Sequence, residues 1–238
     1  MVVWGYCGDG WQQGSIYYAQ AGPHPCPSPG GRGGVWLWSF GGTVGKAGNK
    51  AESLRGAVPL SHYFLRERVR PGNLVLDATC GNGLDTLLLA DLVGEGGTVW
   101  AFDVQPQAIN ATRQLLEREG RLAQVRLVEV GHERLADFVP QGITAAAFNL
   151  GYLPGGDTGL ITDPANTVAA LGQAAELLAP RGIVTIALYT GHAGGPEEAA
   201  AVEQWAATLH PGRFNVWRHR QLNRPDTAPY LVLVERIR

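Results

Sequence analysis

Two carboxylates and a pair of glycines frame the stretch where reactive chemistry is most concentrated. Asp77 ends a short apolar run, Leu74-Val75-Leu76, and a loop of small residues follows, Ala78-Thr79-Cys80-Gly81-Asn82-Gly83. A helical pattern opens at Leu84-Asp85-Thr86-Leu87. A second apolar run, Thr98 to Phe102, ends on Asp103, twenty residues beyond Gly83. Glycines let a backbone pass close to a bound group, and a helix N-terminus turns free N–H groups toward it. An acid at the tip of the second strand suits the paired hydroxyls of a ribose. Asp77, Thr79, Cys80, Gly81, Asn82 and Gly83 are therefore candidate nucleotide-binding residues, with Asp85, Thr86, Asp103, Val104 and Gln105 beside them.

Two cofactor classes use this layout, and the details separate them. A dinucleotide loop wants Gly-x-Gly-x-x-Gly/Ala, but the third small position here is Thr86. A buried carboxylate at Asp77 would repel a pyrophosphate, yet it suits a ligand that carries an ammonium and a sulfonium. S-adenosylmethionine has both. Cys80 occupies a place that needs a small side chain, so packing is its expected role.

A second constellation runs Asn149-Leu150-Gly151-Tyr152-Leu153-Pro154-Gly155-Gly156-Asp157. In a doubly wound sheet it lies at the carboxyl end of the fourth strand, beside the first strand and its loop. Asn first and an aromatic fourth resemble the Asn-Pro-Pro-Tyr/Phe loop of enzymes that methylate amino nitrogens. The chemistry fits: an attacking nitrogen must be neutral, with its lone pair aimed at the methyl, and an amide oxygen at Asn149 would orient its N–H bonds. Tyr152 can stack on a flat base or flank positive charge. Asp157 can help bind an ammonium or take up the proton after transfer. Placement would supply most of the catalysis, with no metal. The bland alternative is a Gly/Pro turn whose Asn caps a backbone group.

These groups need a scaffold, and the rest of the chain supplies one. Pro106 to Glu119 reads as a helix that closes on Gly120; Val125–Val130 and Ala145–Leu150 read as strands. Pro164–Leu178 and Pro196–Leu209 carry helical apolar periodicity on either side of a buried strand, Ile183–Tyr189. Alternation of this kind implies a parallel sheet with helices on both faces. Phe214–Gln221 and Tyr230–Ile237 have only a loop between them, too short for a crossover helix, so they should pair antiparallel. The expected fold is α/β and Rossmann-like: a mainly parallel seven-stranded sheet with a C-terminal antiparallel hairpin, the layout of class I methyltransferases.

Composition sets outer limits. The 238 residues are 45% hydrophobic, with a formal charge of −2. Residues 51–238 hold 16 bases against 20 acids, which argues against binding nucleic acid by bulk charge. Local basicity differs: from His210 onward six arginines (213, 218, 220, 224, 236, 238) face only Asp226 and Glu235. On one side of a sheet they could hold phosphates; a solvated surface is the plain alternative. Cys7, Cys26 and Cys80 make no Cys-x-x-Cys pair, so neither disulfides nor zinc are indicated. No apolar run approaches membrane-spanning length and no signal-like start is present, so no membrane partner is expected and the cytoplasm is the simplest compartment. Residues 1–50 hold 13 of the 33 glycines and four of the seven tryptophans. Without periodicity they are expected to be an irregular or disordered extension of no assigned function, even an over-long translation start, before a domain spanning 51–238.

The chain resembles the bacterial and plastid family once described as rRNA methylases and now associated with methylation of 5-aminomethyl-2-thiouridine in tRNA. The resemblance rests on Asp77-Ala-Thr-Cys-Gly-Asn-Gly83 with Asp85-Thr86, Phe102-Asp103-Val104-Gln105, Gly131-His132, and Phe148 to Asp157. Tyr189-Thr190-Gly191-His192-Ala193-Gly194-Gly195, Asn223 and Pro229 complete it, over about residues 51–238. It implies methyl transfer from S-adenosylmethionine to the aminomethyl nitrogen of wobble uridine 34, with Asn149, Tyr152 and Asp157 as the catalytic group and a tRNA anticodon stem-loop as substrate.

Other residues carry subsidiary expectations. His132, after the third strand, is placed near the adenine edge or in a surface loop. His192 is placed on the substrate side, and Asn223, Arg224, Arg218 and Arg220 toward RNA. Ser61-His62 would roof the cofactor or cap a helix. The sequence leaves a homodimer open. Three alternatives remain: a small-molecule amine as acceptor, a non-catalytic S-adenosylmethionine-binding module, and a dinucleotide-dependent oxidoreductase that Thr86 and the terminal hairpin disfavour.

Overall fold

The computed structural model describes residues 56–151 and 163–238 in full and, before them, only the backbone of two strands. Those strands, β1 (Val3–Cys7) and β2 (Gly10–Gly14), pair antiparallel within a first unit, Met1–Gly48. The second unit, Asn49–Arg238, contains everything else.

Its core is a seven-stranded sheet. In chain order the strands are β3 (Leu74–Asp77), β4 (Thr98–Asp103), β5 (Val125–Glu129), β6 (Ile143–Leu150), β7 (Leu178–Leu188), β8 (Phe214–His219) and β9 (Tyr230–Arg236). Their spatial order is β5-β4-β3-β6-β7-β9-β8, parallel from β5 through β7, with β9 antiparallel to both β7 and β8. The expected parallel sheet with a terminal antiparallel hairpin is the observed one. Strand order reverses at β3, where β4 and β6 flank it, and the crevice beyond the carboxyl ends of these strands is where open α/β sheets bind ligands.

Period-two alternation sends β-strand side chains to two separate cores. On one face Val75, Val99, Ala101, Ala145 and Ala147 pack against helices α1 (Ala57–Arg68), α2 (Leu84–Val93) and α3 (Pro106–Arg118). On the other, Leu76, Phe102, Phe148 and Ile186 meet α4 (Pro164–Leu177) and α5 (Gly195–Thr208). Strands buried on both faces need apolar residues at nearly every position, which β6 and β7 supply.

Two elements differ from the sequence reading. Helix α1 has a weak apolar stripe and was not legible as a helix; Pro59 near its start and Arg66 and Arg68 in its last turn are its local signals. It is fixed by polar contacts inside the core: the buried Ser61 hydroxyl donates to Thr185 Oγ1 at 2.9 Å, and Thr185 in turn donates to the Ala146 carbonyl at 3.3 Å. Strand β7 starts five residues earlier than its apolar run, because Leu178 already pairs with Ile143 before the register shifts. Arg181, with φ 65°, lies within that shift.

Candidate active site

The loop after β3 is organised from below by a buried carboxylate. Asp77 is 1% exposed and accepts the Thr86 hydroxyl at 2.6 Å and the Thr79 N–H at 3.2 Å. Burial, and then the negative charge of Asp85, push its pKa up to about 7, against the pull of those two hydrogen bonds. Thr86 is thus a donor to an acid rather than a packing residue for a pyrophosphate loop.

Asp103 organises the loop from above. It accepts the Gly81 N–H at 3.0 Å and the Gln105 N–H at 2.9 Å, and each carboxylate oxygen keeps a lone pair for a further donor. Thr112 of α3 donates to the Gly81 carbonyl at 2.9 Å. Gly83 enters α2 with φ +84°, and a Cβ there would lie 2.9 Å from the Thr112 Cα. Both its dihedral and the approach of α3 require glycine.

Four polar side chains meet above this loop, all on the same face of the sheet. Asn149, next to the last residue of β6, belongs to the alternation set of Ala145 and Ala147, and Tyr189 follows β7 in that of Thr185 and Ala187. Helices α1 and α2 cover that face and bring His62 and Asp85. His62 Nε2 stands 2.6 Å from Asp85 Oδ1, and the Asn149 amide donates to Asp85 Oδ2 at 3.4 Å. Burial, then Asp85, push the Tyr189 phenol up, opposed by its hydrogen bond with Asn149. The Asn149 backbone N–H donates to Thr79 Oγ1 at 2.8 Å.

These groups line one cavity of about 630 Å³, within the usual range for a small-ligand site. Of the expected cofactor residues, Thr79, Cys80, Gly81, Asn82, Asp85, Asp103, Val104, Gln105 and His132 line it, while Asp77, Gly83 and Thr86 support the loop from beneath. Cys80 is buried, with its thiol pushed up by burial, consistent with packing. His132 is also buried, its ring 6.0 Å from that of Phe148, and burial lowers its pKa. Asn149 and His192 line the cavity as well. Tyr152 and Asp157 lie outside the described residues.

The remaining sequence candidates lie around the β8–β9 hairpin and do not line this cavity. Arg218 pairs with Glu203 at 3.1 Å; Arg220 pairs with Asp226 at 3.0 Å and sits 4.5 Å from the Tyr230 ring centre. Asn223 and Arg224 are exposed in the hairpin loop. That loop reaches the carboxyl edge, where Thr190 donates to the Asp226 carbonyl at 3.4 Å. Cavity residues not singled out from sequence include Val58, Glu133, Asp163 and Asn166, while Tyr189, part of the motif that carries the resemblance but given no role there, lines it too. Tyr189 was findable by counting in twos from Ile183; Val58, Asp163 and Asn166 carried no local signal.

The family model described as "Putative rRNA methylase" matches residues 99–235. The chain belongs to this family. A chloroplastic tRNA (mnm(5)s(2)U34)-methyltransferase of Arabidopsis thaliana is 37% identical over 188 residues, covering 75% of this chain and 68% of that protein. A Clostridium thermocellum structure described as a "putative rRNA-methylase" aligns with a TM-score of 0.76 at 38% identity, over 78% of this chain and all of that one. A Streptococcus mutans protein described as a "putative methyltransferase" and solved with S-adenosylhomocysteine (SAH) aligns with a TM-score of 0.71 at 37% identity, over 77% of this chain and 99% of that one.

The family member described here is an S-adenosylmethionine-dependent methyltransferase. The chemistry of the cavity fits that cofactor. Asp103 offers acceptors to hydroxyls at the tip of β4, and a cavity lined by acids suits a cationic ligand far better than a pyrophosphate. Among the described residues no group of three or more His, Cys, Asp or Glu could hold a metal ion, and no helix is long and apolar enough to cross a membrane.

Proposed function

We propose that this methyltransferase acts on the aminomethyl nitrogen of wobble uridine 34 in tRNA. The observation that carries the reading is the position of Asn149, whose amide stands in the same cavity as the Gly81 loop and Asp103. The cofactor supplies an electrophilic methyl group. Gly81, Asn82, Asp103 and Gln105 hold its nucleoside part, with His132 near the base, and Thr79 ties this loop to Asn149. Asn149 orients the attacking amine, and Tyr152 stacks on the uracil. Asp157 helps bind the ammonium. His192 stands where the substrate enters, and Arg220, Asn223 and Arg224 meet the RNA backbone at the rim. The relative from Arabidopsis thaliana, named for this uridine, supports the choice of substrate.

A small-molecule amine is the second reading, favoured by the acids that already pair with Arg218 and Arg220. Competition separates the two. Methyl transfer from labelled cofactor to aminomethyluridine-bearing tRNA should exceed transfer to the free aminomethyluridine nucleoside by at least about 100-fold in kcat/KM, which is about 2.7 kcal/mol of binding beyond the nucleoside. Equal kcat/KM for both would favour the small amine.

A further inference from the structure

An alkyl amine is mostly protonated at neutral pH and cannot attack a methyl group until it loses a proton. Asn149 can orient such a group but cannot take its proton, since an amide oxygen is a hydrogen-bond acceptor and not a base. We infer that Asp85, paired with His62, is the proton acceptor of this active site. The inference rests on the amine reading above and assigns it a step that no residue of the Asn149 loop needs to perform.

The geometry is specific. Asp85 Oδ1 is engaged by His62 Nε2 at 2.6 Å, whereas Oδ2 points to the Asn149 amide at the longer distance of 3.4 Å. In the proposed pose a substrate nitrogen held by Asn149 Oδ1 lies on the side of the cavity that Asp85 Oδ2 faces. With the Nε2–H given to Asp85, the ring's other nitrogen, Nδ1, is its acceptor, so the pair can hold one proton more than it starts with. His62 acts through Asp85. Its side chain is 20% exposed, and that of Asp85 15%, so both members of the pair keep some contact with solvent. The Ser61–Thr185 bond fixes the turn of α1 that carries His62, which makes the pairing a property of the fold.

The step balances. The ammonium N–H proton passes to the Asp85–His62 pair, and the lone pair so freed forms the N–C bond. The S–C bond breaks with its electrons retained by sulfur. The product leaves as a secondary ammonium, and the pair returns its proton to water. The charged or titratable groups around the pair are Tyr189 after β7, Asp77 at the tip of β3, Asp103 at the tip of β4, His192 across the cavity and Arg66 one turn along α1.

The test uses the full chain, tRNA bearing 5-aminomethyluridine, and the variants Asp85→Asn and His62→Gln. Single-turnover methyl transfer is followed from about pH 6 to 9.5, with SAH affinity measured calorimetrically on the same proteins. The expected result is a rate near pH 7 about 100-fold lower for Asp85→Asn and 10-fold lower for His62→Gln, with most of the loss recovered at the alkaline end. SAH affinity should stay within about threefold. A pH-independent loss, an unchanged rate, or SAH binding weakened more than tenfold by Asp85→Asn would overturn the assignment; the last would make Asp85 a cofactor ligand. If the wild-type chain methylates no such tRNA while binding SAH, the amine reading falls first and this inference with it. An active wild type with pH-flat variants sinks this inference alone.

Discussion

Thr79 Oγ1 accepts the backbone N–H of Asn149 at 2.8 Å, so a side chain of the loop after β3 is tied to the carboxyl end of the neighbouring strand β6. Thr79→Val keeps the shape and removes the acceptor, leaving a half-buried N–H unpaired at a cost of about 1–2 kcal/mol. Turnover should fall about 5- to 30-fold while SAH affinity changes little. Equal losses in both, read by single-turnover kinetics and calorimetry, would place the bond's importance in cofactor binding alone.

Asp77 gives the unliganded protein a distinctive pH dependence. Its folded-state pKa, about 7, lies above its ordinary value of 3.8. Between those values the folded chain keeps a proton that the unfolded chain has lost. Stability contributed by this site is therefore full below about pH 4, declines as pH rises to about 7, and is absent above. Asp77→Asn removes the titration. The melting temperature of the variant relative to wild type should rise between about pH 4.5 and 8, by an amount worth on the order of 3 kcal/mol. A difference that stays constant with pH would show that Asp77 is not held protonated.

Gly83 is constrained twice, by φ +84° and by a Cβ position 2.9 Å from the Thr112 Cα. Gly83→Ala should cost about 2–3 kcal/mol, seen as a melting temperature lower by roughly 5–10 °C. Because the close neighbour is backbone, Thr112→Ser should not restore it. Wild-type stability in Gly83→Ala would mean that α3 is free to move away from the loop.

The arginines of the terminal hairpin should not contribute equally to RNA binding. Glu203 already pairs with Arg218 on the α5 side, whereas Arg224 is exposed in a loop that reaches the carboxyl edge. Arg224→Ala should raise KM for tRNA several-fold and lower the salt dependence of binding by about one charge, with Arg218→Ala below about twofold. Filter binding across salt concentrations measures both. The reverse order would place the RNA on the α5 side.

Much of this architecture was legible in the residues, for a physical reason. The parallel strands are buried on both faces, so their sequences are continuous apolar runs, and the two acids that end β3 and β4 mark the sheet's carboxyl edge. The hairpin of β8 and β9 was legible because too few residues separate the strands for a crossover. Helix α1 was not, since its buried face relies on Ser61 and a few apolar side chains rather than a wide stripe. The His62–Asp85 contact was invisible for the same reason: it joins residues 23 apart through a helix whose position only the folded sheet fixes. Pairing of Arg218 with Glu203 across α5 and β8 is likewise a tertiary fact, and no local pattern announces it.

The central claim is that Asn149 places an RNA-borne amine against the methyl group of the cofactor. Its most direct test is nucleoside mass spectrometry on tRNA carrying unmethylated 5-aminomethyluridine, incubated with S-adenosylmethionine and either wild-type protein or Asn149→Ala. The account predicts a wobble nucleoside one methyl heavier with wild type, and at least about 100-fold less of it with Asn149→Ala despite near-normal SAH affinity. No heavier nucleoside with wild type, or normal turnover by Asn149→Ala, would contradict it.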